Sequence, residues 1–161
     1  AASDVYTSQG LDRLADYDRN CSVASSTRHV PWDDAKATVR AAYASFSDEL
    51  AGIVDRFYDE GWIDAPVRDH KRGGAFCAYT VPSHHPYVFL NYTATPGDVL
   101  TLAHELGHAV HGYLARPQGI FHQSTPLTLA ETASVFGETV TFEALLDETE
   151  DPADRLSLIH I

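Results

Sequence analysis

The stretch His104–His108 reads His-Glu-Leu-Gly-His and decides both the fold and the chemistry of the chain. Residues four apart lie on one face of an α-helix, so His104 and His108 can direct their imidazoles to one point. Two imidazoles commonly begin a zinc site, in which a third protein ligand leaves one position for water. Glu105 stands beside that point, where it can take a proton from the water and pass it to a leaving amine. The pattern predicts the active-site helix of a metallopeptidase.

The residues around this motif indicate a helix that is buried on several sides. Asp98 is expected to cap it after a turn, and apolar residues then occupy most of its circumference. The helix is expected to end at Arg116, because Pro117 pushes the residue before it out of the helical region. Gly107 costs about 1 kcal/mol relative to alanine inside a helix, and close approach of another backbone would compensate. The alternative is a solvated helix face with two incidental histidines.

A second helix is predicted downstream, and it offers the missing ligand. Thr125 is expected to be its cap and Pro126 to lie in its first turn, with the helix running from Leu127 to Glu138. Glu131 and Glu138 are seven residues apart and share one face of this apolar helix. Buried carboxylates need partners, so Glu131 is expected to bind the metal and Glu138 to accept a hydrogen bond from a ligand imidazole. The alternative is that either carboxylate is exposed to solvent.

Two short strands are predicted upstream of the motif. Residues 75–81 and 87–92 are aromatic and β-branched, and a turn separates them. This hairpin either binds a peptide as an added strand, through main-chain hydrogen bonds along its small-residue end, or is purely structural. The candidate substrate contacts are Gly74, Ala75, Phe76, His85 and Tyr87.

The rest of the chain is predicted to be helical and loop-like. Helices are expected at Trp32–Tyr43 and, after a cap at Ser47, at Asp48–Glu60. Residues 64–74 are expected to form a polar loop. Residues 18–31 are also expected to be loop, and residues 11–17 a short helix or an extended arm. The predicted fold class is mainly α with a small antiparallel β-hairpin.

Composition disfavours several classes of function. The formal net charge of −12 argues against nucleic acid and anionic membranes as partners. No apolar run reaches the roughly 20 residues of a membrane span. Two cysteines, Cys21 and Cys77, are too few for a disulfide framework. Cys77 is interpreted as a small buried packing residue and not as a nucleophile.

These features together resemble the oligoendopeptidase F branch of the thimet oligopeptidase family of zinc metallopeptidases. The resemblance covers roughly residues 11–155, and His111 favours this family over other peptidases with the same motif. It implies a zincin-type helix pair in which His104, His108 and Glu131 bind one Zn²⁺ per chain and Glu105 is the general base. His111 either extends the histidine face as an outer contact of the metal site or satisfies a buried polar group. The stretches that carry the resemblance are 62–64, 73–77, 85–92, 104–111 and 129–138.

The resemblance also implies a longer parent protein that hydrolyses short peptides in the cytoplasm. Residues 1–161 are then a partial catalytic domain, a fragment of a larger helical peptidase domain that lacks the family's N-terminal and C-terminal parts. Residues 156–161 fit the family poorly and are interpreted as a non-native tail. The histidine and tyrosine residues that the family uses downstream are absent, so the isolated chain is expected to be poorly active. The alternatives are a metal-binding domain without turnover and a metallocarboxypeptidase; the oligomeric state stays open.

Overall fold

A computed structural model describes residues 28–159, which divide into a main body of residues 28–145 and a segment that begins at residue 146. The predictions for residues 11–17 and 18–27 lie outside the described residues. Within the described range, no helix combines the length and the apolar character that crossing a bilayer requires. In chain order the elements are α1 (Trp32–Phe46), α2 (Asp48–Asp59), β1 (Ile63–Pro66), β2 (Phe76–Ala78), β3 (Tyr87–Tyr92), α3 (Pro96–Ala115), a 3₁₀ turn (Arg116–Gln118), α4 (Leu127–Asp147) and α5 (Pro152–Ile159).

Helices α1 and α2 lie in contact at the start of the main body, and the sequence predicts a helix at each of these places. Helix α1 runs on to Phe46, beyond the predicted end at Tyr43. The hydroxyl of Ser47 accepts a hydrogen bond from the Leu50 amide and caps α2. The apolar side chains that these two helices bury include Val39, Tyr43, Val54 and Phe57.

The sheet is mixed and has the strand order β1-β3-β2. Strands β2 and β3 pair antiparallel, which confirms the predicted hairpin, although β2 has only three residues. Strand β1 pairs parallel with β3, so the prediction of a loop from residue 64 is wrong for residues 64–66. Asp64 and Pro66 are poor strand formers, and the partner of a parallel strand is distant in sequence. A local pattern therefore carries no signal for β1.

Helix α3, which carries the motif, begins with a capping box. The Thr95 hydroxyl accepts from the Asp98 amide at 3.2 Å, and the Asp98 carboxylate accepts from the Thr95 amide at 3.0 Å. The cap is thus Thr95 and the helix starts at Pro96, so the prediction that Asp98 is the cap is wrong. Proline suits the first helical position because its missing amide is not needed there. The predicted end is confirmed, since Ala115 is the last α-helical residue before the 3₁₀ turn.

Helix α4 follows the predicted second helix and continues beyond it. It begins at Leu127, and the Pro126 carbonyl accepts from the Ala130 amide at 3.1 Å. The Thr125 hydroxyl is buried and has no hydrogen-bond partner, so the prediction that Thr125 caps this helix is wrong. The helix runs to Asp147 and not to Glu138, because apolar residues continue through its last turns.

Two glycines allow α3 and α4 to approach closely. A Cβ on Gly107 would collide with the Ala133 carbonyl and come within 2.6 Å of the Ser134 Cα. A Cβ on Gly137 of α4 would in turn lie 2.8 Å from the Ala103 carbonyl of α3. The expectation that another backbone approaches Gly107 is confirmed. This contact places the motif on α3 directly opposite the first half of α4.

The segment from residue 146 holds the end of α4 and helix α5. The Arg155 guanidinium of α5 donates to the Leu146 carbonyl at 2.5 Å and to the Thr149 carbonyl at 3.0 Å. The Leu146 carbonyl is one of those that the C-terminus of α4 leaves without an intrahelical partner. Helix α5 starts with an Asp151 side chain that accepts from the Asp154 amide at 3.0 Å.

Candidate metal centre

His104, His108 and Glu131 bring one ligand atom each to a common point. These atoms lie within 4.8 Å of one another. The Glu131 Oε2 atom is 3.4 Å from His104 Nε2 and 3.7 Å from His108 Nε2. Ligands of a tetrahedral zinc ion, at about 2.0–2.1 Å from the metal, stand roughly 3.3 Å apart. The spacing therefore fits a small divalent cation, and two imidazoles with one carboxylate suit zinc, cobalt or manganese.

The His104 ring lies between two carboxylates, one near each of its nitrogen atoms. Its Nδ1 lies 2.9 Å from Glu138 Oε2, while its Nε2 faces Glu131. A proton on Nδ1 that is donated to Glu138 leaves the Nε2 lone pair directed at the common point. The structure thus brings Glu138 to the place that the sequence predicts for it.

Glu131 has a partner that the sequence interpretation missed. The Ser134 hydroxyl donates to Glu131 Oε2 at 2.8 Å, one helical turn further along α4. The Ser134 residue is fully buried against α3. Its hydrogen bond fixes the rotamer of the carboxylate and orients it towards the two imidazoles. The only sequence signal was a small hydroxyl residue three positions after the glutamate, and serine is too common for that to stand out.

Glu105 lies beside the three ligand atoms and is 7% exposed. Its Oε2 atom is buried without a hydrogen-bond partner in the part of the chain that the structure describes. Burial raises the pKa of Glu105 to about 7; the charge of His104 opposes the rise and that of Glu131 adds to it. A cation among the three ligands would favour the ionised carboxylate. A water molecule bound at that point would supply the missing hydrogen-bond donor.

His108 is placed in the protonation state that a metal ligand needs. Burial lowers the pKa of His108, and the nearby Glu131 carboxylate only partly offsets that effect. The imidazole is therefore neutral near pH 7, with a lone pair to offer.

A cleft of about 610 Å³ opens in front of these residues. One wall is formed by the chain from Ala75 to Thr80, which includes β2, and the other by α3 and the start of α4. Of the predicted substrate contacts, Ala75 and Phe76 line this cleft. Gln123, which is 6% exposed, lines it too, and sequence reasoning gave no signal for that residue.

The structure does not bring the remaining predicted contacts to the cleft. Gly74 and Tyr87 are not among its lining residues. His85 stacks on the Trp62 ring with 3.6 Å between the ring centroids and 5° between the planes. His85 is thus engaged in packing, and its predicted contact with substrate stays a prediction.

His111 lies behind the metal centre and makes no hydrogen bond to the ligand side chains. Its Nδ1 atom is buried without a partner among residues 28–159, and its ring meets the edge of the Tyr79 ring. It lines a separate apolar cavity of about 540 Å³, together with Gly107. Of its two predicted roles, a direct outer contact to the metal ligands is not seen in this arrangement.

Cys77 lines the cleft but has the properties of a packing residue. Burial raises the pKa of its thiol to about 12, and the Glu105 charge adds to that rise. The thiol therefore stays protonated and is a poor nucleophile at neutral pH. It is a free thiol within the described residues.

Comparisons with known proteins agree on one family. The sequence model of Peptidase family M3 matches residues 10–159. An oligoendopeptidase F homolog of Lactococcus lactis subsp. lactis is 29% identical over 152 residues, which cover 94% of this chain and 25% of that protein. Oligopeptidase PepF of Bacillus subtilis is 30% identical over 156 residues, which cover 93% of this chain and 22% of that protein.

Solved structures give the same result. A candidate oligoendopeptidase F from Bacillus anthracis superimposes with a TM-score of 0.82 at 25% identity, over 98% of this chain and 30% of that chain. A candidate peptidase from Chlamydophila abortus superimposes with a TM-score of 0.83 at 27% identity, over 99% of this chain and 27% of that chain. The chain therefore spans about a quarter of the length of the curated relatives it matches.

Proposed function

Because the chain belongs to peptidase family M3, we propose that it is the partial catalytic domain of a zinc-dependent endopeptidase that hydrolyses short peptides. The observation that carries this proposal is the group of His104, His108 and Glu131 with Glu105 beside it. The chain covers only part of its relatives, so the activity and substrates belong to the full-length parent protein.

Each of these four residues has a distinct proposed role in hydrolysis. His104, His108 and Glu131 would hold one zinc ion, which lowers the pKa of bound water towards about 7 and polarises a carbonyl. Glu105 takes the proton of the attacking water through its unpartnered Oε2 and gives it to the departing amine. Glu138 and Ser134 orient a ligand imidazole and the ligand carboxylate.

The wall of the cleft that contains β2 suits an extended peptide. Strand β2 lies at one edge of the sheet within residues 28–159, so one of its edges is free. A peptide that adds to this edge gains main-chain hydrogen bonds and lies along the cleft next to Glu105. Ala75 and Phe76 are then the substrate contacts, and small residues before β2 allow close approach.

The test is cleavage by the full-length parent of one short peptide prepared in two forms. The first form has both ends blocked and carries an internally quenched fluorophore; the second has a free carboxyl terminus. An endopeptidase cuts the blocked peptide, and a chelator removes that activity until zinc is added back. Cleavage of the free-ended form alone, one residue from its end, would show a metallocarboxypeptidase instead.

A further inference from the structure

Lys71 is a buried lysine in the loop between β1 and β2. Its side chain is 2% exposed, which is rare for lysine unless the ammonium group has partners. The partners lie on both neighbouring strands, so Lys71 ties its loop to β1 and β3 at once. The oxygen atoms in reach of Nζ are the Asp64 carbonyl (3.0 Å) and carboxylate (3.2 Å), the Pro66 carbonyl (3.0 Å) and the Leu90 carbonyl (2.6 Å).

Strand β3 contains an additional residue at the place where Lys71 binds. Asp64 pairs with Phe89 and Pro66 pairs with Tyr92, so two steps along β1 correspond to three along β3. Irregular pairing of this kind interrupts the ladder and re-aims the residues it contains. Leu90, whose carbonyl accepts from Lys71, lies in this stretch.

Asn91 follows Leu90 in the same irregular stretch and binds the end of the loop that leads into β2. Its Nδ2 donates to the Arg72 carbonyl at 2.9 Å and to the Gly74 carbonyl at 3.1 Å. Gly74 has a φ of 88°, a conformation that favours glycine. These bonds fix the chain immediately before it enters the cleft wall at Ala75.

Lys71 also supports the aromatic part of that wall. Its Nζ lies 4.5 Å from the centroid of the Phe89 ring. Phe89 stacks on Phe76 with 4.8 Å between the ring centroids and 13° between the planes. Phe76 in turn lines the cleft. A continuous set of contacts therefore leads from the buried ammonium to the surface that faces a bound peptide.

We propose that Lys71 and Asn91 are positioning residues that hold edge strand β2 against β3 and thereby shape the peptide-binding wall. A strand of three residues makes few ladder hydrogen bonds, so contacts outside the ladder can add to its stability. Neither side chain needs to touch the peptide, because both act through β2. The role rests on the proposed function, since β2 is taken as the strand to which substrate adds.

The test uses Lys71→Met and Asn91→Ala in the full-length parent. Methionine keeps the apolar stem of lysine and removes its donors, whereas Asn91→Ala breaks two exposed hydrogen bonds. We expect the amides of residues 74–78 to exchange hydrogen about tenfold faster in each variant. We also expect KM for a short peptide to rise about tenfold with kcat within about twofold, because wall contacts are made equally in ground and transition states.

Arg68→Met is the matched control. Arg68 donates to the same Asp64 carboxylate, at 2.8 and 2.5 Å, but it is half-exposed and makes no hydrogen bond to β3 among the described residues. We expect this variant to change neither the exchange of residues 74–78 nor KM. A general loss of stability through Asp64 would affect Arg68→Met and Lys71→Met alike.

Hydrogen exchange separates this role from the proposed function. Unchanged exchange at residues 74–78 in both variants would overturn the positioning role, whatever the peptidase activity. Faster exchange with unchanged KM in an active enzyme would also overturn it, because β2 would then not carry the substrate. A parent that cleaves no peptide would contradict the proposed function. The claim that Lys71 and Asn91 shape a peptide-binding wall would then be contradicted too.

Discussion

Glu105 is the single residue on which the proposed chemistry depends, because it is the only carboxylate beside the metal group with a buried, unpartnered oxygen in the described chain. Glu105→Gln keeps its size and removes its basicity. We expect kcat of the parent to fall by about 10²–10⁴-fold while the zinc content stays the same. Glu143→Gln on the exposed face of α4 is the control, and it should change neither quantity. Full activity in Glu105→Gln would show that another group is the general base.

Glu138 is a second residue whose replacement tests the metal site, because it contacts the imidazole of His104. Because a carboxylate 2.9 Å from Nδ1 would fix the tautomer and the direction of that ring, we expect Glu138→Ala to weaken zinc affinity by about 10–100-fold. Competition with a chromogenic chelator measures this affinity. The same titration on Glu143→Ala gives the reference. Identical zinc affinities in the two variants would show that Glu138 does not support the metal site.

The sequence predicted the residues of the centre better than their supporting contacts. Helical spacing alone places His104 and His108 together, and the apolar surroundings of Glu131 point to a partner for its charge. Ser134 was missed because a serine inside a helix carries no pattern. The stacking of His85 on Trp62 was not predicted either, because it depends on a tertiary contact that local sequence does not encode.

At the scale of elements, the contact between α3 and α4 holds the site together. Gly107→Ala would place a methyl group against the Ala133 carbonyl, so we expect it to lower the stability of the parent by about 1–3 kcal/mol and to reduce zinc content. Gly52→Ala is the matched control, because a Cβ there meets nothing within 4 Å in α2. It should leave zinc content unchanged and raise stability by about 0.4–1 kcal/mol. Thermal unfolding and metal analysis check both, and equal behaviour of the two variants would contradict the close approach.

Helices were more predictable than strands for a physical reason. The periodicity of apolar residues and the positions of proline and glycine predicted where α1 to α4 start to within a few residues. The predicted cap at Ser47 is confirmed, whereas those at Asp98 and Thr125 are wrong, because more than one residue near these two helix starts could serve. Thr95 and Asp98 cap each other reciprocally, and the buried Thr125 hydroxyl has no hydrogen-bond partner among the described residues. Strand β1 was missed since its pairing with β3 is parallel and distant.

At the scale of the whole molecule, the chain holds a candidate metal centre, and we propose that it is part of a larger catalytic domain. It spans about a quarter of the relatives, and large apolar side chains such as Phe46 and Leu129 remain exposed. On the proposed function, the residues that stabilise the developing oxyanion belong to the parent protein outside residues 1–161. Loss of one such donor typically costs about 10²–10³-fold in rate. We therefore expect residues 1–161 alone to bind zinc yet to cleave the end-blocked peptide at least about 10²-fold more slowly than the parent. Equal rates would show that the chain is catalytically complete.

The most direct measurement is the zinc content per chain of the full-length parent and of its Glu131→Ala variant, with cleavage of the end-blocked peptide recorded on the same samples. Glu131 is the proposed ligand that joins α4 to the motif on α3, so its removal tests the centre as a whole. The expected result is one zinc ion per chain and internal cleavage for the parent, with both lost in Glu131→Ala and both kept in Glu143→Ala. Equal zinc content in the parent and in Glu131→Ala would contradict the metal centre described for this chain.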